Sequence, residues 1–249
     1  MKLLYKEIGE TPTQMINNYI DKYNNKYNNN KIKKGTVVGK LDPMACGQSI
    51  CLFDEDCKNM NKYLYLKKIY KFKIIFGFDT DTNDILGLIN SYEQINNINK
   101  DNLITNLQSF MGSHNQHYHN YSSICVQNKL TGERKPLWFW TKNNKLNEIT
   151  IPSKNVYVDN LELIQLEISN FDIIKKQINT YINKLEGDFR QSEILQNWNN
   201  INNINNVFIG HFQITCSSGF YVRQLVKEFT KKINILGIAY EIERVDIIQ

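Results

Sequence analysis

The sequence has no CxxC pair, no apolar run long enough to span a membrane and no large excess of either charge. Its five cysteines are an odd number, and Cys46, Cys51 and Cys57 sit close together without zinc-ribbon spacing. A reduced intracellular protein follows, with the cytoplasm as the first setting and an organelle or viral origin left open. The opening MKLLYKEIGE is too short and too polar for a signal peptide. Thirty basic against 25 acidic residues leave a net charge of +5, which permits a nucleic-acid partner without implying one. Histidine is scarce, and three of the four (His114, His117 and His119) share one stretch. No carboxylate or cysteine completes a ligand motif there, so no metal is assigned. The 249 residues, 41% of them hydrophobic, suffice for one large domain or two small ones with a buried core.

What the chain does have is one crowded stretch, KGTVVGKLDPMACG, from Lys34 to Gly47. Gly35, Gly39 and Gly47 permit backbone angles closed to other residues. Pro43 fixes its own φ and pushes Asp42 away from the helical region. The result is a constrained loop presenting a single acid, Asp42. Read from local chemistry alone, the same residues also make an ordinary turn with a capping aspartate.

Periodicity places the other elements. Thr11-Pro12 starts a helix that carries Met15, Ile16, Tyr19, Ile20 and Tyr23. YNNKYNNNKIKK reads as a polar connector. SICLF is a short buried strand, and Tyr70, Phe72, Ile74 and Phe76 alternate with Lys71 and Lys73 in another. GFDTDTNDILG is dense in turn formers and lacks the carboxylate spacing of an EF-hand. Asp101 caps a helix with Leu103, Ile104 and Leu107. VYVDNLELIQLEI alternates as a strand, and Phe171, Ile174, Ile178, Tyr181, Ile182 and Leu185 form a helical stripe. WNNINNINN reads as a linker. Val207 to Cys216 is a strand, Ser217-Ser218-Gly219 a turn, and a helix starts near Phe220.

Several of these stretches resemble, in order, the motifs of the TruB family of tRNA pseudouridine synthases. GKLDPMACG is similar to the family's GTLDPxAxG, whose Asp is catalytic. The segment from Gly77 to Gly87 matches GxxTxTxDxxG at Thr80, Thr82 and Asp84. QxPPxYSAxK is present in worn form: Gln116, Tyr121 and Ser122 match, Tyr118 and His119 replace the prolines, and Cys125 replaces the lysine. CSSGFYVRQL resembles CSxGTYIRxL and supplies Arg223, and Ile242 and Arg244 fall on the family's final Leu-x-Arg strand. Tyr70 lies 28 residues after Asp42, and Ile242 lies 19 after Arg223, both as in bacterial members. Val37 stands where the family usually has histidine. The chain ends soon after the Ile242 strand, so the PUA domain of bacterial members is expected to be missing, leaving one catalytic domain over residues 1–249.

The resemblance implies an α/β (α+β) pseudouridine synthase fold: a central mixed, largely antiparallel sheet flanked by helices. It implies isomerisation of the T-loop uridine of tRNA, with no metal or redox cofactor, by a stand-alone monomer with no protein partner and no membrane. The reaction breaks the glycosidic bond, turns the base and reattaches it through C5. Asp42 is the reacting carboxylate, as nucleophile or as base. Arg223 pairs with it through charge-assisted hydrogen bonds. Tyr70 offers a face to the base and a hydroxyl near C5, and Ile242 the opposite apolar wall. Gly39, Leu41, Lys68, Thr80, Thr82, Asp84 and Tyr121 are expected to bind substrate. The base must be flipped out of its stack, and Lys31, Lys33, Lys34, Lys67, Lys68, Lys71 and Lys73 are candidates for phosphate contacts. Two other readings stand beside this one: a guide-RNA-dependent homologue acting on ribosomal RNA, and a non-catalytic RNA-binding protein on the same fold.

Overall fold

The computed structural model describes residues 1–27 and 31–248. Its strands are β1 (Lys2–Lys6), β2 (Gly35–Val38), β3 (Ala45–Phe53), β4 (Lys67–Phe76), β5 (Phe78–Thr80), β6 (Ile89–Tyr92), β7 (Gly112–His117), β8 (Cys125–Gln127), β9 (Arg134–Pro136), β10 (Ser153–Asn170), β11 (Asn206–Cys216) and β12 (Gly237–Ile248). The helices are α1 (Pro12–Lys26), α2 (Asn61–Leu64), α3 (Lys100–Leu107), α4 (Leu137–Lys142), α5 (Phe171–Asn183), α6 (Gln191–Asn199) and α7 (Val222–Ile233). Among the described residues one sheet of eight strands dominates, in the order β1-β3-β12-β4-β11-β10-β7, with β2 also on β3. Every pairing in it is antiparallel except β12 with β3. The mixed, largely antiparallel sheet with helices is the fold expected from the resemblance.

β2 and β12 share one edge of β3, β2 against residues 50–53 and β12 against residues 45–47. The loop carrying Asp42 leaves the end of β2 and returns into β3 at Ala45, opposite Ile242 of β12. Gly47 makes the close approach possible: a Cβ there would lie 2.3 Å from the Arg244 carbonyl oxygen.

The two sheet faces are sorted by the pleat. Tyr70, Phe72 and Ile74 of β4 face α7 and α3, with the Phe72 and Phe212 rings stacked at 5.1 Å and Phe229 of α7 edge-on to Phe212 at 5.9 Å. Val222, Leu225, Val226, Phe229 and Ile233 bury one stripe of α7 here, each contributing roughly 1.5–3 kcal/mol. On the opposite face lie Lys71 and Lys73, and Lys73 pairs with Glu241 at 2.7 Å. Tyr181 of α5 donates to the same Glu241 at 2.9 Å, so α5 covers that face.

Local chemistry explains most element boundaries. Thr11 and Gln14 form a reciprocal capping box before α1. Three expectations need correction. Asn99, not Asp101, caps α3, and Asp101 sits in its first turn. WNNINNINN is not simply a linker: Trp198 is the buried anchor of α6, fully enclosed, and Ile201 is buried beyond it. Its aromatic ring outweighs the polar Asn run, because one large buried ring releases more apolar surface than several asparagines cost at the rim. The connector at residues 23–34 is helical as far as Lys26, and its residues 28–30 lie outside the described residues.

Candidate functional site

Asp42 sits on its loop just before β3, with Gly39 in the left-handed region at φ +67°. Arg223 reaches it from the second position of α7. The turn before α7 depends on Gly219 at φ +82°, where a Cβ would clash with Lys154, and Lys154 Nζ donates to the Ser218 carbonyl at 3.1 Å. Arg223 donates from Nε to Asp42 Oδ2 at 2.8 Å, and its Nη2 lies 2.6 Å from the same oxygen. Its Nη1 faces Asp84 Oδ2 at 3.1 Å and the Thr82 carbonyl at 3.2 Å. The guanidinium is therefore shared between two acids and one carbonyl.

The Asp42 side chain retains 37% of its exposure, while those of Arg223 and Asp84 keep 6% and 4%. Asp42 thus meets solvent while its partners are buried behind it. Burial raises the Asp84 carboxyl above the usual carboxylate range, opposed by the Arg223 charge and the Thr82 hydroxyl. Thr82 Oγ1 donates to Asp84 Oδ1 at 2.5 Å and the Leu86 amide to the same oxygen at 3.0 Å. Thr80 Oγ1 donates to the Asp84 carbonyl at 2.7 Å. Thr80, Thr82 and Asp84 are consequently the scaffold that holds Arg223.

Asp42 and Arg223 open into a cleft of about 430 Å³, within the range of ligand sites. Its wall includes Pro43, Met44, Thr82, Asp84, Leu86, Tyr121, Trp138 and Lys142, and it is completed by Asp188, Phe189 and Arg190. The structure brings together Asp42, Arg223, Thr82, Asp84 and Tyr121 in this way. Other expected site residues lie elsewhere. Tyr70 is 8% exposed and Ile242 is 4% exposed, and both belong to the core rather than to the cleft wall. The Tyr70 ring therefore shows no open face for stacking, and burial raises its phenol pKa. Ile242 lies opposite Ala45 in the parallel ladder, three residues beyond Asp42. Leu41 is core, and the Gly39 carbonyl accepts from Arg244 Nη1 at 2.8 Å.

Lys68 is a further correction. It is 4% exposed and its amine donates to the Leu64 and Leu66 carbonyls, so it presents no charge to a phosphate. Burial, helped by the nearby Arg244 charge, lowers its pKa to about 8. Lys71 and Lys73 lie on the sheet face away from Asp42, and Lys67 pairs with Asp159 at 2.5 Å. A strand's alternation fixes which residues share a face but not which face holds the site. Lys31, Lys33 and Lys34 are exposed.

The histidine stretch does not converge. His119 is buried, with Nε2 3.0 Å from Asn83 Oδ1 and Nδ1 accepting from the Tyr121 amide at 3.2 Å. Burial holds its pKa well below the ordinary value. His114 packs edge-on to Phe220. Gln116 forms a two-way bridge to the Tyr221 backbone, 3.1 Å to the carbonyl and 2.8 Å from the amide.

Sequence reasoning missed the group at the far side of the cleft. Arg190 donates to both oxygens of Asp81, at 2.7 and 3.3 Å, and Tyr121 donates to Asp81 at 2.9 Å. Arg190 lies over the Tyr121 ring at 5.7 Å. Nothing in the local pattern of GDFR points to Asp81, 109 residues earlier.

The sequence matches the family model described as TruB family pseudouridylate synthase (N terminal domain) over residues 26–182. Among curated proteins it is 26% identical over 200 residues to a tRNA pseudouridine synthase B of Malacoplasma penetrans, covering 79% of this chain and 81% of that protein. It is 32% identical over 161 residues to one of Wigglesworthia glossinidia brevipalpis, covering 64% of this chain and 46% of that protein. The chain thus spans most of the first relative and about half of the second. Among solved structures, a chain of a Cbf5-Nop10-Gar1 complex shares the fold, with a TM-score of 0.52 and 13% identity over 98% of this chain and 48% of that one.

Proposed function

The chain belongs to the TruB family of pseudouridylate synthases, and from that premise we propose that it isomerises uridine to pseudouridine in the T-loop of tRNA. The observation that carries the reading is the half-exposed Asp42 carboxylate, forked by Arg223, at the mouth of a largely apolar cleft. Breaking and remaking the bond at C1′ needs a carboxylate beside the ribose, held in one orientation. Arg223, buried and fixed in turn by Asp84 and Thr82, supplies that orientation.

The nucleotide must leave its stack to reach Asp42, and an RNA loop offers a base already partly splayed. The apolar wall of Met44, Pro43 and Leu86 suits a flat, neutral base with little water around it. Tyr70 would meet the base with its ring and hydroxyl only once that ring is uncovered, since it is 8% exposed. The domain proposed for this chemistry spans residues 1–249, acting as a single chain on tRNA.

The test is direct. Purified protein is incubated with an unmodified tRNA transcript, without guide RNA, and pseudouridine is mapped along the transcript. Modification confined to the T-loop uridine supports the reading. No pseudouridine, with binding retained, would leave only an RNA-binding role.

A further inference from the structure

Asp188, Phe189 and Arg190, in a short strap at residues 185–190 between α5 and α6, form part of the wall of the cleft that holds Asp42. It follows the stretch matched by the family model, which ends at residue 182. Leu185 is buried and anchors one end. Gln191 braces the strap from inside, donating to the Gly187 carbonyl at 2.6 Å and accepting from the Phe189 amide at 3.0 Å. Gly187 has φ +100° and Arg190 φ +63°. The second is a left-handed conformation on a residue with a Cβ, which persists only where its surroundings impose it. What imposes it is the Arg190 fork on Asp81, itself held by the Tyr121 hydroxyl and the Leu88 amide.

Asp81 sits in the same turn as Thr82 and Asp84, which hold Arg223. One turn therefore fixes an arginine on each side: Arg223 toward Asp42, and Arg190 toward the strap. We propose that Phe189, held at the cleft wall by the Arg190–Asp81 latch, is a substrate-binding residue that bounds the flat base of the nucleotide presented to Asp42. Phe189, Tyr121 and Trp138 give the cleft aromatic faces beside the apolar Pro43, Met44 and Leu86, and stacking on such faces accepts any base of the right size. Arg190 is a positioning residue: it acts on the nucleotide through Phe189. This inference rests on the pseudouridine synthase reading.

The test compares wild type with Phe189→Ala, Arg190→Ala and Arg190→Lys on an unmodified tRNA transcript. Phe189→Ala and Arg190→Ala should raise KM about tenfold with kcat nearly unchanged, the scale of one lost charge-assisted or stacking contact. Arg190→Lys, which still pairs with Asp81, should recover part of the loss. Unchanged KM in Phe189→Ala, or losses that track thermal unfolding midpoints, would overturn the proposal. A second arm needs no substrate. Trp140 and Trp198 are buried while Trp138 lines the cleft, so acrylamide quenching reports Trp138. Arg190→Ala should increase that quenching by freeing the strap, and unchanged quenching overturns the latch. A wild type that makes no pseudouridine removes the functional reading, and the quenching arm then decides the latch by itself.

Discussion

Asp42 and Arg223, 181 residues apart in sequence, are joined by a hydrogen bond of 2.8 Å from Nε and a second contact of 2.6 Å from Nη2, both on Asp42 Oδ2. The guanidinium has both acids as neighbours, since Asp84 lies 3.1 Å from its Nη1. One acid is half-exposed and the other buried, so only Asp42 presents its carboxylate to the cleft while Asp84 braces the arginine from behind.

Asp42→Asn should abolish pseudouridine formation while RNA binding persists. The amide can act neither as nucleophile nor as base, yet keeps the shape of the loop. Tritium release from C5-labelled RNA at near the wild-type rate would refute the assignment of Asp42.

Arg223→Lys should also be damaging, although it keeps the charge. A lysine cannot span Asp42, Asp84 and the Thr82 carbonyl at once. Misorientation on the ångström scale costs on the order of 10²-fold in rate. The expected pattern is a large fall in single-turnover rate with RNA affinity and its salt slope nearly constant. An affinity loss with unchanged turnover would instead place Arg223 on the RNA-docking surface.

Asp84→Ala should destabilise the fold by roughly 3 kcal/mol, since it removes one partner of a buried ion pair and strands the Thr82 hydroxyl and Leu86 amide. Urea unfolding measures this. A loss below about 0.5 kcal/mol, the scale of a surface change, would mean that Asp42 and Thr82 suffice to hold the arginine.

Lys68 links stability to pH. Its folded pKa, about 8, lies below the unfolded value of 10.5. Between those values the unfolded chain keeps a proton that the folded chain has released, so stability rises with pH through that window. Below about 8 both forms are charged and the cost of burying the amine is complete. From about pH 8 to 9.5, wild type should therefore gain stability relative to Lys68→Met. Parallel urea midpoints across that range would show that the amine stays protonated on its carbonyls.

Trp198→Ala tests the reassignment of the Asn-rich segment. The ring is fully buried against Phe78, with centroids 5.2 Å apart, and Nε1 donates to the Ile85 carbonyl at 3.3 Å. Truncation should cost roughly 3–5 kcal/mol. A cost near that of an exposed residue would restore the linker reading.

Local signals carried much of the fold. The capping box at Thr11, the glycine turn before α7 and the alternation of β4 each follow from the steric and hydrogen-bonding needs of a few neighbouring residues. The acid at the site was legible for the same reason: glycines and a proline crowd around one aspartate. The Asn-rich run misled because composition outweighs a single tryptophan when no partner for the ring is known.

Sequence alone determined the residue types available to the site, the strongly periodic strands and helices, and the loop that presents Asp42, because those depend on φ, ψ and periodicity within a few residues. Only the tertiary structure decided that Asp84 and Thr82 hold Arg223, that Tyr70, Ile242 and Lys68 are covered, and that Arg190 pairs with Asp81 at the cleft wall. These depend on which sheet face and which edge each strand presents, and on ion pairs between residues more than a hundred positions apart. Such pairings are set by the packing of the whole sheet.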